Sequence, residues 1–165
     1  MSVVDELLAN NRLHAEALAE LHLDLRPARA LAIVTCMDSR LNVFDALGLD
    51  AGDAHVLRNA GGVITDDVIR SLAISQRLLG THETMLIHHT DCGMQRLSDD
   101  GFRAELQADT GVAPAFAIES FTDLDADVRQ SILRVQRSVF LLHTDVRGFV
   151  YDVATHRLRE VRAES

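Results

Sequence analysis

The chain has 165 residues, a 47% hydrophobic share and a net charge of −9, which suits one domain with a real core and excludes a disulfide-stapled miniprotein. The acidic balance argues against nucleic acid and against an anionic membrane surface, because both need a basic face, and a 4% aromatic share with no Trp leaves few platforms for stacked bases. Met1 to Glu6 carries no basic stretch leading into an apolar one, and the longest apolar runs are too short to span a bilayer, so a cytoplasmic location is expected.

Residues 3 to 22 read as an amphipathic helix with Val4, Leu7, Leu8, Ala15, Leu18 and Leu21 on its apolar face and Ser2 with Asp5 as a cap. The segment Leu25 to Arg29, with Pro27, breaks it, so residues 1–28 form an arm ahead of the core. Leu31 to Cys36 is a short continuous apolar run, the pattern of a strand buried on both faces of a parallel sheet. A short helix over Asn42 to Leu47 stops at Gly48, and Ala54 to Arg58 reads as a second strand. Asn59-Ala60-Gly61-Gly62 follows as a loop whose glycines permit close backbone approach.

Thr65 caps a strong helix with Asp66 and Asp67 in its first turn, where the helix dipole favours negative charge. Its expected buried face is Val68, Ile69, Leu72, Ala73 and Leu79, and Gly80 ends it. Thr84 to His89 is a third strand. Thr122 with Asp125 marks the start of a helix running to about Arg137, and Val139 to Leu142 reads as a fourth strand. Gly148 to Val153 and Leu158 to Val161 read as a closing hairpin. The whole is an α/β chain, a single domain over 1–165. Its sheet is doubly wound and mainly parallel, of order about 2-1-3-4 with a C-terminal antiparallel hairpin, flanked by helices.

That order matters for chemistry. Ligands in such sheets bind beyond the carboxyl ends of strands where the order reverses. Cys36 closes the first strand, His89 closes the third, and Cys92 lies just past it. Two thiols and an imidazole are a three-donor zinc set that leaves one coordination position open, as a catalytic zinc requires. His88 and His89 face opposite sides of a strand, so only one meets the metal. The spacing to Cys92 favours His89 and leaves His88 a packed or hydrogen-bonded role. Asp38 stands two residues from Cys36, close enough to accept a hydrogen bond at the metal or to occupy its fourth position. Arg40 can hold that carboxylate off through a charge-assisted pair. Asn59, Ala60, Gly61 and Gly93 are candidates to line the substrate pocket, Gly93 through its amide. A Cys36–Cys92 disulfide is the rival reading of the two cysteines.

Cys36-Met37-Asp38-Ser39-Arg40, Arg58-Asn59-Ala60-Gly61-Gly62 and His89-Thr90-Asp91-Cys92-Gly93 together resemble the β-class carbonic anhydrases, over about residues 30 to 153. The stretch Asp66 to Ala73 is similar to their short bacterial branch. The resemblance implies zinc on Cys36, His89 and Cys92, with Asp38 and Arg40 as catalytic dyad, and reversible hydration of carbon dioxide to bicarbonate. It also implies a homodimer or dimer-based oligomer in which residues 3 to 22 reach over the partner. The Gln and aromatic residues that line the pocket of plant-type members have no match placed here, and a regulatory bicarbonate pocket built on a Trp cannot form in the same way. Carbonyl sulfide and carbon disulfide hydrolases share the scaffold and give an alternative activity. A non-catalytic zinc or redox-sensing protein, with Asp38 locked on the metal, is a second alternative.

Overall fold

The computed structural model describes residues 2–18 and 22–162. A five-stranded sheet organises them, in the order β2-β1-β3-β4-β5. Strands β1 (Leu31–Cys36), β2 (Ala54–Asn59), β3 (Glu83–His89) and β4 (Asp145–Tyr151) are parallel, and β5 (Leu158–Val161) pairs antiparallel with β4. Strand β1 reads as an unbroken apolar run because it has a neighbour on each side and a core on each face. Ala32 and Val34 join Leu72, Leu86, Val128 and Ile132 on one face, while Ile33 joins Leu41, Val43, Ile87 and Tyr151 on the other. Buried Thr35 keeps its hydroxyl satisfied by donating to the Ile87 carbonyl at 2.8 Å.

Helices α2 (Val43–Leu47) and α3 (Asp66–Leu79) follow the expected signals. Each ends on a left-handed glycine, Gly48 or Gly80, and Thr65 accepts from the Val68 amide. The buried face of α3 differs in part. Val68 and Leu72 are buried, Ile69 and Ala73 pack partly against the core, and Leu79 is only half-buried; Ser75 and Gln76 are buried instead. Helix α5 (Leu124–Arg137) starts one residue past a different cap from the expected one: the Asp123 side chain, not Thr122, accepts from Ala126. It packs so closely on β4 that a Cβ added to Gly148 would overlap Val128 and Ile132.

Larger differences follow. Helix α1 spans Val3–Ala17 with Leu18 already extended, short of residue 22, and Leu21 lies outside the described residues. Its Ser2/Asp5 capping box is present, but Val4, Leu7, Leu8 and Leu18 are all exposed. The run Val139 to Leu142 is not a strand. The Gln76 side chain accepts from the backbone amides of Leu142 and His143 and donates to the His143 carbonyl, and Arg77 donates to the Phe140 carbonyl. Side chains of α3 therefore satisfy this segment's polar groups, and only Leu141 is buried. The fourth strand is the first limb of the C-terminal hairpin, beginning at Asp145. Finally, helix α4 (Asp99–Thr110), capped by Ser98 and ended by Gly111, had no counterpart in the sequence reading. Among the described residues no helix is long and apolar enough to cross a membrane.

Candidate metal centre

The register places β1 and β3 side by side, so their carboxyl ends deliver Cys36 and His89 to one point. A turn through Asp91, whose φ is 55°, then brings Cys92 back to it. The two sulfurs lie 4.0 Å apart, and the three donor atoms all fall within 4.8 Å of one another. All three side chains are buried, with His89 fully excluded from solvent.

The state of His89 is set by its neighbour. Its Nδ1–H donates to the Thr90 carbonyl at 2.9 Å, which leaves the Nε2 lone pair free. That Nε2 is buried and has no hydrogen-bond partner. An orphaned buried acceptor is costly unless something occupies the space before it, and two cysteine sulfurs share that space. The donor set therefore fits a thiophilic divalent cation. The contact with Cys92, together with the His89 ring and the amides of Asp38 and Gly61, holds the Cys36 thiol well below its ordinary range despite burial. The same Cys36 contact, with burial, pushes Cys92 up. Burial opposes charge on His89, but Cys36, the Thr90 carbonyl and Asp38 outweigh it, and its pKa rises.

Asp38 and Arg40 meet as the sequence suggested. Arg40 Nε and Nη2 donate to the two carboxylate oxygens of Asp38 at 3.0 and 2.8 Å, and the Arg40 amide adds a third bond at 2.9 Å. These contacts, led by the guanidinium, hold the Asp38 carboxyl well below the usual carboxylate range. Asp38 Oδ2 is also 3.7 Å from His89 Nε2, so the carboxylate stands at the edge of the metal position while bonded to arginine.

The pocket candidates divide. Gly61 is buried and its amide faces Cys36, and Ala60 packs into the cluster of Cys36, Cys92, Val63, Met94 and Phe121. Gly62 has φ +73°, and a Cβ there would stand 2.9 Å from the Cys36 amide nitrogen, so backbone meets backbone beside a candidate donor. Asn59 donates to the Val63 carbonyl, leaving its buried Oδ1 unpartnered. Gly93 opens the 3-10 turn Gly93–Arg96 in uncrowded space. His88 points away as expected: its Nε2 is 2.6 Å from Asp127 Oδ2 and its ring lies tilted against Phe121.

The contacts of two residues at the site escaped the sequence reading. Arg58 donates to the carbonyls of Cys36 and Asp38, pinning the segment between them. Asp91 contacts Arg40 through both its carboxylate and its carbonyl. Both lie within the motif segments, but motif spacing says nothing about which backbone carbonyl a long side chain will reach.

Comparison with known proteins bears on this arrangement. The profile of the family described as carbonic anhydrase matches residues 31–131. Beta-carbonic anhydrase 1 of Mycobacterium tuberculosis is 53% identical over 162 residues, which covers 98% of this chain and 99% of that one. A carbon disulfide hydrolase of Acidianus is 37% identical, covering 80% of this chain and 77% of that one. The crystal structure of carbonic anhydrase from Streptococcus mutans superposes with a TM-score of 0.92 at 45% identity, covering 98% and 99% of the two chains.

Proposed function

The chain belongs to the β-class carbonic anhydrase family, and from that premise we propose that it catalyses the reversible hydration of carbon dioxide to bicarbonate and a proton, using one zinc ion held by Cys36, His89 and Cys92. The observation that carries the metal assignment is the buried, unpartnered Nε2 of His89 beside two sulfurs 4.0 Å apart. Zinc, when bound, supplies the Lewis acidity that makes water a nucleophile near neutral pH. Cys36 and Cys92 would hold the ion as thiolates, so loading would release whatever thiol protons the pair carries. Thr90 fixes the His89 ring and tautomer through its carbonyl.

Asp38, kept ionised by Arg40, accepts a hydrogen bond from the attacking water through Oδ2 and so orients it toward carbon dioxide. Arg40 also keeps the Asp38 carboxylate engaged on its own guanidinium. That contact supports a working site over one in which Asp38 permanently fills the metal's last position, and so over the non-catalytic or sensing alternative. Asn59, Ala60, Gly61 and Gly93 form the pocket wall in this reading. The arm, residues 1–28, docks on a second copy of the single 1–165 domain, since α1 carries Val3, Val4, Leu7 and Leu8 on its surface, each more than half exposed. The dimer works in the cytoplasm, where two buried free cysteines stay available as ligands.

The greater likeness to a carbonic anhydrase, 53% against 37% for a carbon disulfide hydrolase, favours carbon dioxide as substrate. Stopped-flow hydration of carbon dioxide by the zinc-loaded protein tests this, run beside sulfide release from carbonyl sulfide and carbon disulfide. Hydration is the expected activity; sulfide release with no hydration would overturn the assignment.

A further inference from the structure

Asp91 precedes Cys92 and has no role in the reading above, on which this inference rests. Its φ of 55° lies in the left-handed region, which aspartate tolerates better than most side chains but still at a cost. A strained residue at a site suggests function when a neighbour uses the conformation. Arg40 does: its Nη1 donates to Asp91 Oδ2 and its Nη2 to the Asp91 carbonyl, both at 2.9 Å. Asp91 Oδ1 in turn accepts from Arg96.

Left to itself, the Asp38–Arg40 pair is a half-exposed contact made by a flexible side chain, with Arg40 45% accessible. Such pairs hold their geometry poorly. Asp38 also has a competing attraction, because its Oδ2 is only 3.7 Å from His89 Nε2, the atom facing the metal position. Clamping the far side of the guanidinium removes most of the freedom of Arg40 before it meets Asp38. The fork is then pre-organised, with Nε and Nη2 aimed at one carboxylate and Nη1 and Nη2 at Asp91.

We propose that Asp91 is a positioning residue: its left-handed turn and carboxylate lock Arg40 in the orientation that holds Asp38 off the metal. Without it Arg40 swings free, and Asp38 passes to the cation for a larger share of the time. Asp91 sets the balance between a site open to water and one closed by its own carboxylate.

Two variants separate positioning from folding. Asp91→Gly keeps the left-handed turn and the backbone carbonyl but deletes the carboxylate. Asp91→Asn keeps the shape and deletes the charge. The zinc-loaded wild type and both variants are crystallised, and the absorption spectra of the cobalt-substituted proteins are compared. In the variants Asp38 is expected on the metal in at least part of the molecules, with a changed cobalt spectrum. The kcat/KM for carbon dioxide is expected to fall about tenfold, the scale of one lost charge-assisted hydrogen bond, while zinc content stays at the wild-type level. Wild-type kcat/KM and spectrum in both variants, with Asp38 still on Arg40, would overturn the inference while leaving the carbonic anhydrase reading intact. A wild-type protein that binds no zinc would overturn that reading, and this inference with it.

Discussion

Replacing Gly62 by alanine tests whether backbone packing, and not only the three donors, builds the metal centre. Two costs add at this position. The left-handed backbone, φ +73°, penalises any Cβ by about 1 kcal/mol. The new methyl also stands 2.9 Å from both the Cys36 nitrogen and the Thr35 carbonyl carbon, backbone atoms that cannot swing aside, and such overpacking costs about 2 kcal/mol more. Gly111 is the control, because it has φ +75° and nothing within 4 Å of its would-be Cβ. Urea unfolding of the chelator-treated proteins should therefore show a loss of about 1 kcal/mol for Gly111→Ala and about 3 kcal/mol for Gly62→Ala. Zinc affinity should fall only in Gly62→Ala, since the methyl displaces Cys36, one of the three proposed donors. Equal losses in the two variants, or unchanged zinc affinity in Gly62→Ala, would refute the reasoning.

Other consequences follow from the same contacts. Asp38→Ala should lower kcat/KM for carbon dioxide by about a hundredfold, a typical scale for a positioned proton acceptor, with zinc content unchanged by metal analysis. Gln76→Leu removes three hydrogen bonds to the 140–143 segment and should cost about 2–4 kcal/mol in urea unfolding, because backbone amides lose their partners. Asp125 is held below its ordinary value of 3.8 by Arg159. Its contribution to stability is therefore present above that pH and lost as pH falls through the depressed value. Arg159→Ala should lower the melting temperature at neutral pH, and the difference from wild type should shrink progressively below pH 3.8.

The clustering of Cys36, His89 and Cys92 was legible in the sequence because two independent patterns agreed. Buried apolar runs ended at Cys36 and at His89, and a parallel sheet of order 2-1-3 makes those ends neighbours. Strand alternation sent His88 and His89 to opposite faces, and the spacing to Cys92 chose between them. The misread fourth strand has the opposite cause: Val139 to Leu142 is more apolar than Asp145 to Tyr151, yet it lacks sheet partners. Long-range side-chain bonds from Gln76, which no local pattern reveals, hold it instead. Helix α4 buries no residue completely, so its hydrophobic period is weak, although Ser98, Asp99, Asp100 and Gly111 are sound terminal signals that were there to be read. The clamp of Asp91 on Arg40 joins residues 51 apart, and it emerged only once the strand ends were placed in space.

The central claim is a single zinc gripped by two sulfurs and one nitrogen, and metal content tests it most directly. Mass-spectrometric analysis of protein prepared without added chelator should find one zinc per chain, and almost none in Cys92→Ser. A wild-type protein without stoichiometric metal, or a Cys92→Ser protein that retains its full complement, would contradict the account.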